Sequence, residues 1–287
     1  TKKLSNLGEG FSLMSPILPK ITRNLQKSSE TPALDAQVLL AHITGKSRAW
    51  LLAHPELKLS LSEEKKLNSA LEKLQNNIPL PYVIGHWEFF GLEFHLSNAV
   101  LIPRPETEEL IEHALSWLRA SNARHVLDMG TGSGCIPISL ARNIRDLNVV
   151  AVDISSSALN IARQNAQKHE VEITFAQSDL LANLPLATFD LITANLPYIP
   201  TKTLKTLEVF QREPTLALDG GESGLDLIQR LLKDAPRYLA PKGVIMLEID
   251  SSHGAAALEL AKKFFPEAEN KLVKDLSKRD RFIIIQT

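Results

Sequence analysis

From Glu106 to Ile285 the hydrophobic pattern of the chain keeps changing period. Short apolar runs at His125–Met129, Val149–Val152, Val171–Phe175, Phe189–Thr193, Val244–Ile249 and Phe282–Ile285 alternate with amphipathic stretches at Glu106–Arg119, Cys135–Asn143, Ser156–Lys168, Leu225–Leu232 and Ala255–Phe264. A short run that is apolar at nearly every position reads as a strand covered on both faces, and the stretches between have helical spacing. Each helix is then the crossover that two parallel strands require. The pattern predicts an α/β, Rossmann-like sheet, mostly parallel and helix-covered on both faces, with its binding crevice outside the carboxyl ends of the strands.

The residues at those ends are specific. The first run leads into Val126-Leu127-Asp128-Met129-Gly130-Thr131-Gly132-Ser133-Gly134, a glycine-rich turn between strand and helix. The spacing is G-x-G-x-G, Cys135 stands where the dinucleotide fingerprint has its third glycine, and no Gly-Lys-Ser/Thr follows, so neither the NAD pattern nor a Walker loop is matched. Asp153 closes the next strand 23 residues after Gly130, where a carboxylate can accept hydrogen bonds from both hydroxyls of a ribose. Asp179, after the third strand, can accept from an adenine amino group. A glycine turn alone is equally well a tight connection; two aspartates at successive strand ends favour a nucleoside-bearing ligand.

The fourth run ends in Ala194-Asn195-Leu196-Pro197-Tyr198, which faces the same crevice. A planar amide or exocyclic amino nitrogen is a poor nucleophile because its lone pair is conjugated, so a site that methylates it must hold the NH2 group and raise its electron density. The Asn195 side-chain oxygen and a neighbouring backbone carbonyl can each accept one of the two hydrogens. Tyr198 can lay its ring against the planar group. The matching reaction is an in-line methyl transfer from a sulfonium, driven by positioning. Taken alone, a loop with two prolines, Pro197 and Pro200, is the plain alternative.

The first eighty residues read as helices only. Leu34, Val38, Leu39 and His42, then Trp50, Leu51 and Leu52, then Leu61, Leu67, Leu71 and Leu74 recur at helical spacing, and Ser60-Leu61-Ser62-Glu63 has the form of a capping box. Pro79 and Pro81 break the pattern. The expected organisation is a helical domain over 1–80, a linker over 81–104 in which Trp87–Phe90 and Leu92–His95 flank Gly91 as a β-hairpin, and the crevice-bearing domain over 105–287.

Composition narrows the function. With 44% hydrophobic and 23% charged residues the chain is not disordered, and a net charge of −1 lacks the basic excess of a general nucleic-acid binder. Thr1–Pro81 holds 11 Lys and Arg against 7 Asp and Glu, and the remainder 21 against 26, so a mildly basic part precedes a mildly acidic one. A single cysteine, Cys135, excludes an internal disulfide and reads as a small buried residue; no His/Cys spacing suits zinc, and no metal is expected. No stretch approaches the roughly 18 apolar residues of a membrane span, and Thr1–Leu18, interrupted by Gly8, Glu9, Gly10 and Pro16, is unlike a signal peptide. A cytoplasmic monomer without membrane contact is expected.

Tyr82-Val83-Ile84-Gly85-His86-Trp87-Glu88-Phe89-Phe90-Gly91, Leu101-Ile102-Pro103-Arg104-Pro105-Glu106-Thr107-Glu108, Asp128–Gly134, Asn195–Tyr198, and Glu213-Pro214 with Ala217-Leu218 and Gly220-Gly221 together resemble the HemK family, the peptide chain release factor glutamine N5-methyltransferases. The resemblance runs in order from roughly Tyr82 to Phe282. It implies a class I S-adenosylmethionine-dependent methyltransferase domain, S-adenosylmethionine as methyl donor, and as substrate the glutamine of the Gly-Gly-Gln tripeptide in release factors, with the helical domain docking the factor. By the same resemblance Gly130, Thr131, Gly132, Ser133 and Gly134 line the methionine part of the cofactor, Asp153 takes the ribose, and Asp179 with Leu180 borders the adenine. Asn195, Leu196, Pro197 and Tyr198 would hold the target glutamine, with Asn195 also facing the cofactor.

Two positions depart from the family pattern. Leu196 replaces the first proline of Asn-Pro-Pro-Tyr; preceding Pro197 it is held extended and can still present its carbonyl, so activity is expected to survive. Lys278 stands where the family usually has glycine, which predicts a slightly altered turn. Arg104 either reaches the cofactor's carboxylate or, more simply, anchors its loop. Two rival readings share the Asn-x-Pro-Tyr logic. One is N6-methylation of adenine in DNA or RNA, which needs a nucleic-acid surface where this part of the chain is acidic, and no sequence-specific nucleic-acid binding is expected. The other is methylation of a ribosomal-protein glutamine.

Overall fold

Ser60 starts a helix in the way its neighbours require. In the computed structural model, which describes residues 17–287, the Ser60 hydroxyl accepts from the Glu63 N–H at 3.3 Å and the Glu63 carboxylate accepts from the Ser60 N–H at 2.7 Å, closing the capping box. The helices of this part are α1 (Ile17–Leu25), α2 (Pro32–Thr44), α3 (Arg48–Ala53), α4 (Leu61–Gln75) and α5 (Leu80–Ile84). Ile21, Leu25, Leu39, Leu40, Leu51, Leu67 and Leu74 form their buried core. The two prolines act differently from the simple break expected of them: Pro81 lies in the first turn of α5, where its missing N–H costs nothing. The helical unit accordingly closes at Ile84, and a second unit runs from Gly85 to Thr287. The part of the expected helical domain that covers residues 1–16 lies outside the described residues.

The second unit opens with the expected hairpin, β1 (His86–Phe89) against β2 (Leu92–His95). Phe90 and Gly91 between them both have positive φ, 52° and 70°, as a two-residue turn of this twist demands. After α6 (Pro105–Ala120) come β3 (His125–Met129), α7 (Cys135–Asn143), β4 (Asn148–Asp153), α8 (Ser156–Lys168), β5 (Thr174–Gln177), β6 (Phe189–Ala194), α9 (Thr201–Leu204), α10 (Asp226–Asp234), β7 (Leu239–Glu248), α11 (Gly254–Phe264), β8 (Glu269–Lys274) and β9 (Asp280–Gln286). They form one seven-stranded sheet in the order β5-β4-β3-β6-β7-β9-β8. The first five strands are parallel and β9 runs antiparallel to β7 and β8. Leu127, Val152, Ile192, Ile245 and Ile283 are fully buried at its centre. This is the Rossmann-like fold the alternating pattern requires.

Two details differ from the sequence reading. β5 begins at Thr174, not Val171, and β7 begins five residues before Val244. β8 has no counterpart in the reading: Glu-Asn-Lys-Leu-Val-Lys carries charge at both ends and along its length, as a sheet edge does. Lys278, where a slightly altered turn is expected, adopts the left-handed conformation that glycine takes without strain, φ 63°, and donates its N–H to Asp275 O at 2.8 Å. Among the described residues no helix is long and apolar enough to cross a membrane.

Left-handed backbone costs a side-chain-bearing residue roughly 1–2 kcal/mol, and glycine's greater unfolded-state freedom returns about half of that. Lys278→Gly is therefore expected to raise stability by about 0.5–1 kcal/mol, seen as a higher melting temperature; a lower one would show that the lysine is unstrained.

Candidate active site

The register of the parallel strands sets the site. Met129 pairs with Val152 on one side and with Ala194 on the other, so Gly130, Asp153 and Asn195 leave the sheet side by side. A cavity of about 240 Å³ opens there, lined by Gly130, Thr131, Gly132, Ser133, Asp153, Asp179, Leu180, Asn195, Leu196 and Pro197. Gly134 does not line it. A Cβ on Gly134 would meet Ile138 Cδ1 at 2.9 Å and Ala162 Cβ at 3.2 Å, so this glycine lets α7 approach α8. Gly132, at φ 55°, is the one that faces open space: nothing lies within 4 Å of its Cβ direction.

Asp153 is tied into the glycine turn. Its Oδ2 accepts from the Gly132 N–H and its Oδ1 from the Ser155 N–H, both at 2.9 Å. Burial pushes its carboxyl up, and those N–H groups pull it back. A carboxylate has about four acceptor sites, so both oxygens keep capacity toward the cavity. Asp179 pairs with Arg230 at 2.8 Å, each half-exposed. Ile154, Leu180, Leu216 and Leu227 give this end of the cavity an apolar lining.

A second cavity of about 250 Å³ adjoins the first, lined by Arg104, Tyr198, Ile199, Val209 and Leu218, and sharing Leu101, Asn195, Leu196, Pro197 and Ala217 with it. The Asn195–Pro197 turn is thus a wall with a chamber on either side. Its backbone is held by bonds from Ile199 N to Leu218 O at 3.1 Å, Gly220 N to Ile199 O at 2.9 Å and Thr201 N to Gly221 O at 2.9 Å. Gly220 permits that approach: a Cβ there would lie 2.7 Å from Tyr198 Cα. The buried Glu213 carboxylate accepts from Ile102 N at 3.0 Å and pairs with Arg104. Arg104 therefore anchors its loop and is not among the residues lining the first cavity.

Behind the wall lie polar groups that the sequence reading did not assign. Asn195 Nδ2 donates to Thr107 Oγ1 at 3.0 Å, and the Thr107 hydroxyl donates to Glu248 Oε2 at 2.7 Å. Thr193 Oγ1 donates to Asp128 Oδ1 at 2.7 Å. Burial pushes the Asp128 carboxyl up to about 6 and the Glu248 carboxyl up to about 7. A lone acid near the end of the apolar run Val244–Ile249 was the available signal for Glu248. Burial also raises the Tyr198 phenol, which stays neutral, and pushes the Cys135 thiol up to about 12, leaving it unreactive. Among the described residues no three His, Cys, Asp or Glu gather as metal ligands.

Comparison with known proteins gives a consistent result. The PrmC N-terminal domain family matches residues 17–85 and the methyltransferase small domain family residues 109–213. The release factor glutamine methyltransferase of Moorella thermoacetica is 40% identical over 255 residues, covering 88% of this chain and 90% of its own. That of Koribacter versatilis is 38% identical over 259 residues, covering 88% and 91%. A methyltransferase structure from Pyrococcus furiosus shares the fold at a TM-score of 0.52, with 18% identity over 69% of this chain and 90% of that one.

Gly220 has no positive φ, so close contacts alone forbid a side chain: a Cβ would meet Tyr198 Cα at 2.7 Å and Gly224 O at 2.8 Å. Gly220→Ala is expected to cost about 1–3 kcal/mol, the usual range for overpacking, read as a lower denaturation midpoint. An unchanged midpoint would mean that the wall is not packed on the glycine segment.

Proposed function

The chain belongs to the release factor glutamine methyltransferase family, and from that premise we propose that the two chambers and the Asn195–Tyr198 wall between them carry methyl transfer to the N5 amide nitrogen of the glutamine in the Gly-Gly-Gln motif of peptide chain release factors. The observation that carries this reading is the shared wall. One turn borders a cavity suited to a nucleoside and a second cavity that can admit a side chain.

The first cavity fits S-adenosylmethionine. A Cβ on Gly132 would stand in its open space, and Thr131, beside the buried Asp128 carboxyl, lines it. Asp153 has spare acceptor sites for two ribose hydroxyls, and the apolar lining around Leu180 suits a flat ring. Gly130, Thr131, Gly132 and Ser133 would hold the methionine part, and Asp179 with Leu180 the adenine. When bound, S-adenosylmethionine supplies a methyl group made electrophilic by its sulfonium sulfur.

The wall would then orient the acceptor. With Asn195 Nδ2 bound to Thr107, its Oδ1 is the end available to one amide hydrogen, and the Leu196 carbonyl takes the other. Both pull electron density toward the nitrogen that forms the new bond. The Leu196 side chain packs beside Gly130, 2.9 Å from where a Cβ would stand, so leucine fills the space on that side of the wall and the turn keeps its carbonyl. The neutral Tyr198 ring offers a flat face to the planar amide. Transfer would join the methyl carbon to the nitrogen held by Asn195 and the Leu196 carbonyl as its bond to sulfur is given up with both electrons to sulfur, and the surplus proton on nitrogen would leave to water. No protein base is required.

The helical unit ending at Ile84 would dock the release factor. The enzyme would act as a monomer in the cytoplasm, where release factors work, without sequence-specific nucleic-acid contact.

Methyl transfer from labelled S-adenosylmethionine to a purified release factor, its Gly-Gly-Ala variant and duplex DNA tests the proposal. Label on the wild-type factor alone is expected, and label on DNA, or on the variant equally, would overturn it. Asn195→Ala should lower kcat by about 10²–10³-fold, the usual loss for one positioned hydrogen-bonding group. A Leu196→Pro variant should stay within a few-fold of wild type.

A further inference from the structure

Glu248 is a buried carboxylate that the transfer itself does not use. It ends β7 at 1% exposure, and the pairing of Leu247 with Ala194 sets it level with Asn195. Its Oε1 has no hydrogen-bond partner, while its Oε2 accepts the Thr107 hydroxyl, whose oxygen in turn accepts from Asn195 Nδ2. A hydroxyl has one proton, and an ionised carboxylate only accepts. With that proton committed to Glu248, Thr107 can meet Asn195 only through a lone pair, which admits the NH2 end of the amide and excludes the oxygen end.

The two ends of an asparagine side chain are nearly the same size, yet only one arrangement serves an acceptor NH2 group. The flipped arrangement sets donor against donor. We propose that Glu248 is a positioning residue that, through the Thr107 hydroxyl, fixes which end of Asn195 faces the acceptor amide. The inference rests on the role given to Asn195 above.

Charge on Glu248 is what makes the chain directional. Once protonated, the carboxyl can donate to Thr107, freeing the hydroxyl to donate toward Asn195 and so favouring the flipped amide. The groups around Glu248 are Thr107, Asn195, Arg281, Glu106, Tyr198 and Cys135. Thr107, Arg281 and the Asn195 side chain favour its charged form, Glu106 opposes it, and burial outweighs them, which puts its titration close to neutrality.

The test compares the full chain with Thr107→Val, Thr107→Ser and Glu248→Gln, using labelled transfer to a release factor across acid and neutral pH, calorimetric binding of S-adenosylmethionine, and melting temperatures. Thr107→Val keeps the shape and removes the hydroxyl; it should lose about 10²-fold in kcat with S-adenosylmethionine affinity unchanged, and Thr107→Ser should recover most of the loss. The wild type should lose kcat on the acid side as Glu248 takes up a proton, and Glu248→Gln should lack that limb. If Thr107→Val does not fold, the pH profile of Glu248→Gln decides. Variants with wild-type kcat and a wild-type pH profile would overturn this inference alone. A wild type that labels no release factor would instead overturn the function on which it rests.

Discussion

Met129, Val152 and Ala194 stand in line because β3 is hydrogen-bonded in parallel register to β4 on one edge and β6 on the other. Sharing a direction, the three strands leave the sheet at the same level. The next residue of each is then fixed: Gly130, Asp153 and Asn195 become neighbours although up to 65 residues separate them. A slip of one residue in either pairing would turn Asp153 or Asn195 to the other face of the sheet. The fully buried Leu127, Val152 and Ile192 hold the register against such a slip, so the hydrophobic core acts directly on the geometry of the crevice.

The wall between the chambers obeys a different constraint. Catalysis by positioning needs a turn that does not move, and a free loop with two prolines would not supply one. Here the turn is paired backbone to backbone with Leu218–Gly221, and Gly220 and Gly224 bring that segment so close that Tyr198 is confined by main-chain atoms. Glu213 ties the segment around Ile102–Arg104 to the same side of the structure. Rigidity comes from backbone packing and one buried acid, not from the residues that would touch substrate.

What could be read from the sequence follows from what is local. Strands buried on both faces announce themselves as apolar runs, which is why the parallel half of the sheet was legible; β8, an edge strand in which only Leu272 and Val273 are apolar, was not. Asp153 and Asn195 were legible because a polar residue at the end of an apolar run has a defined position in this fold. Thr107 and Glu248 were not, since their bond spans 141 residues and depends on how α6 meets β7. The glycine spacing showed where backbone freedom is needed but not on which side. Gly132 turns to the cavity and Gly134 to a helix contact, and nothing in the pattern separates them.

On the proposed reading Asp153 does two things with one carboxylate: it takes the ribose in the cavity it lines, and it braces the Gly132 N–H. A substitution meant to change which sugar is accepted also removes the strut under the glycine turn. Altered ribose selectivity, whether reached by drift or by engineering toward a modified cofactor, therefore has to arrive together with a rebuilt main chain. On that reading single changes at this position lose two properties at once, the identity of the nucleoside is locked to a backbone shape, and the fold resists adopting a new one by small steps.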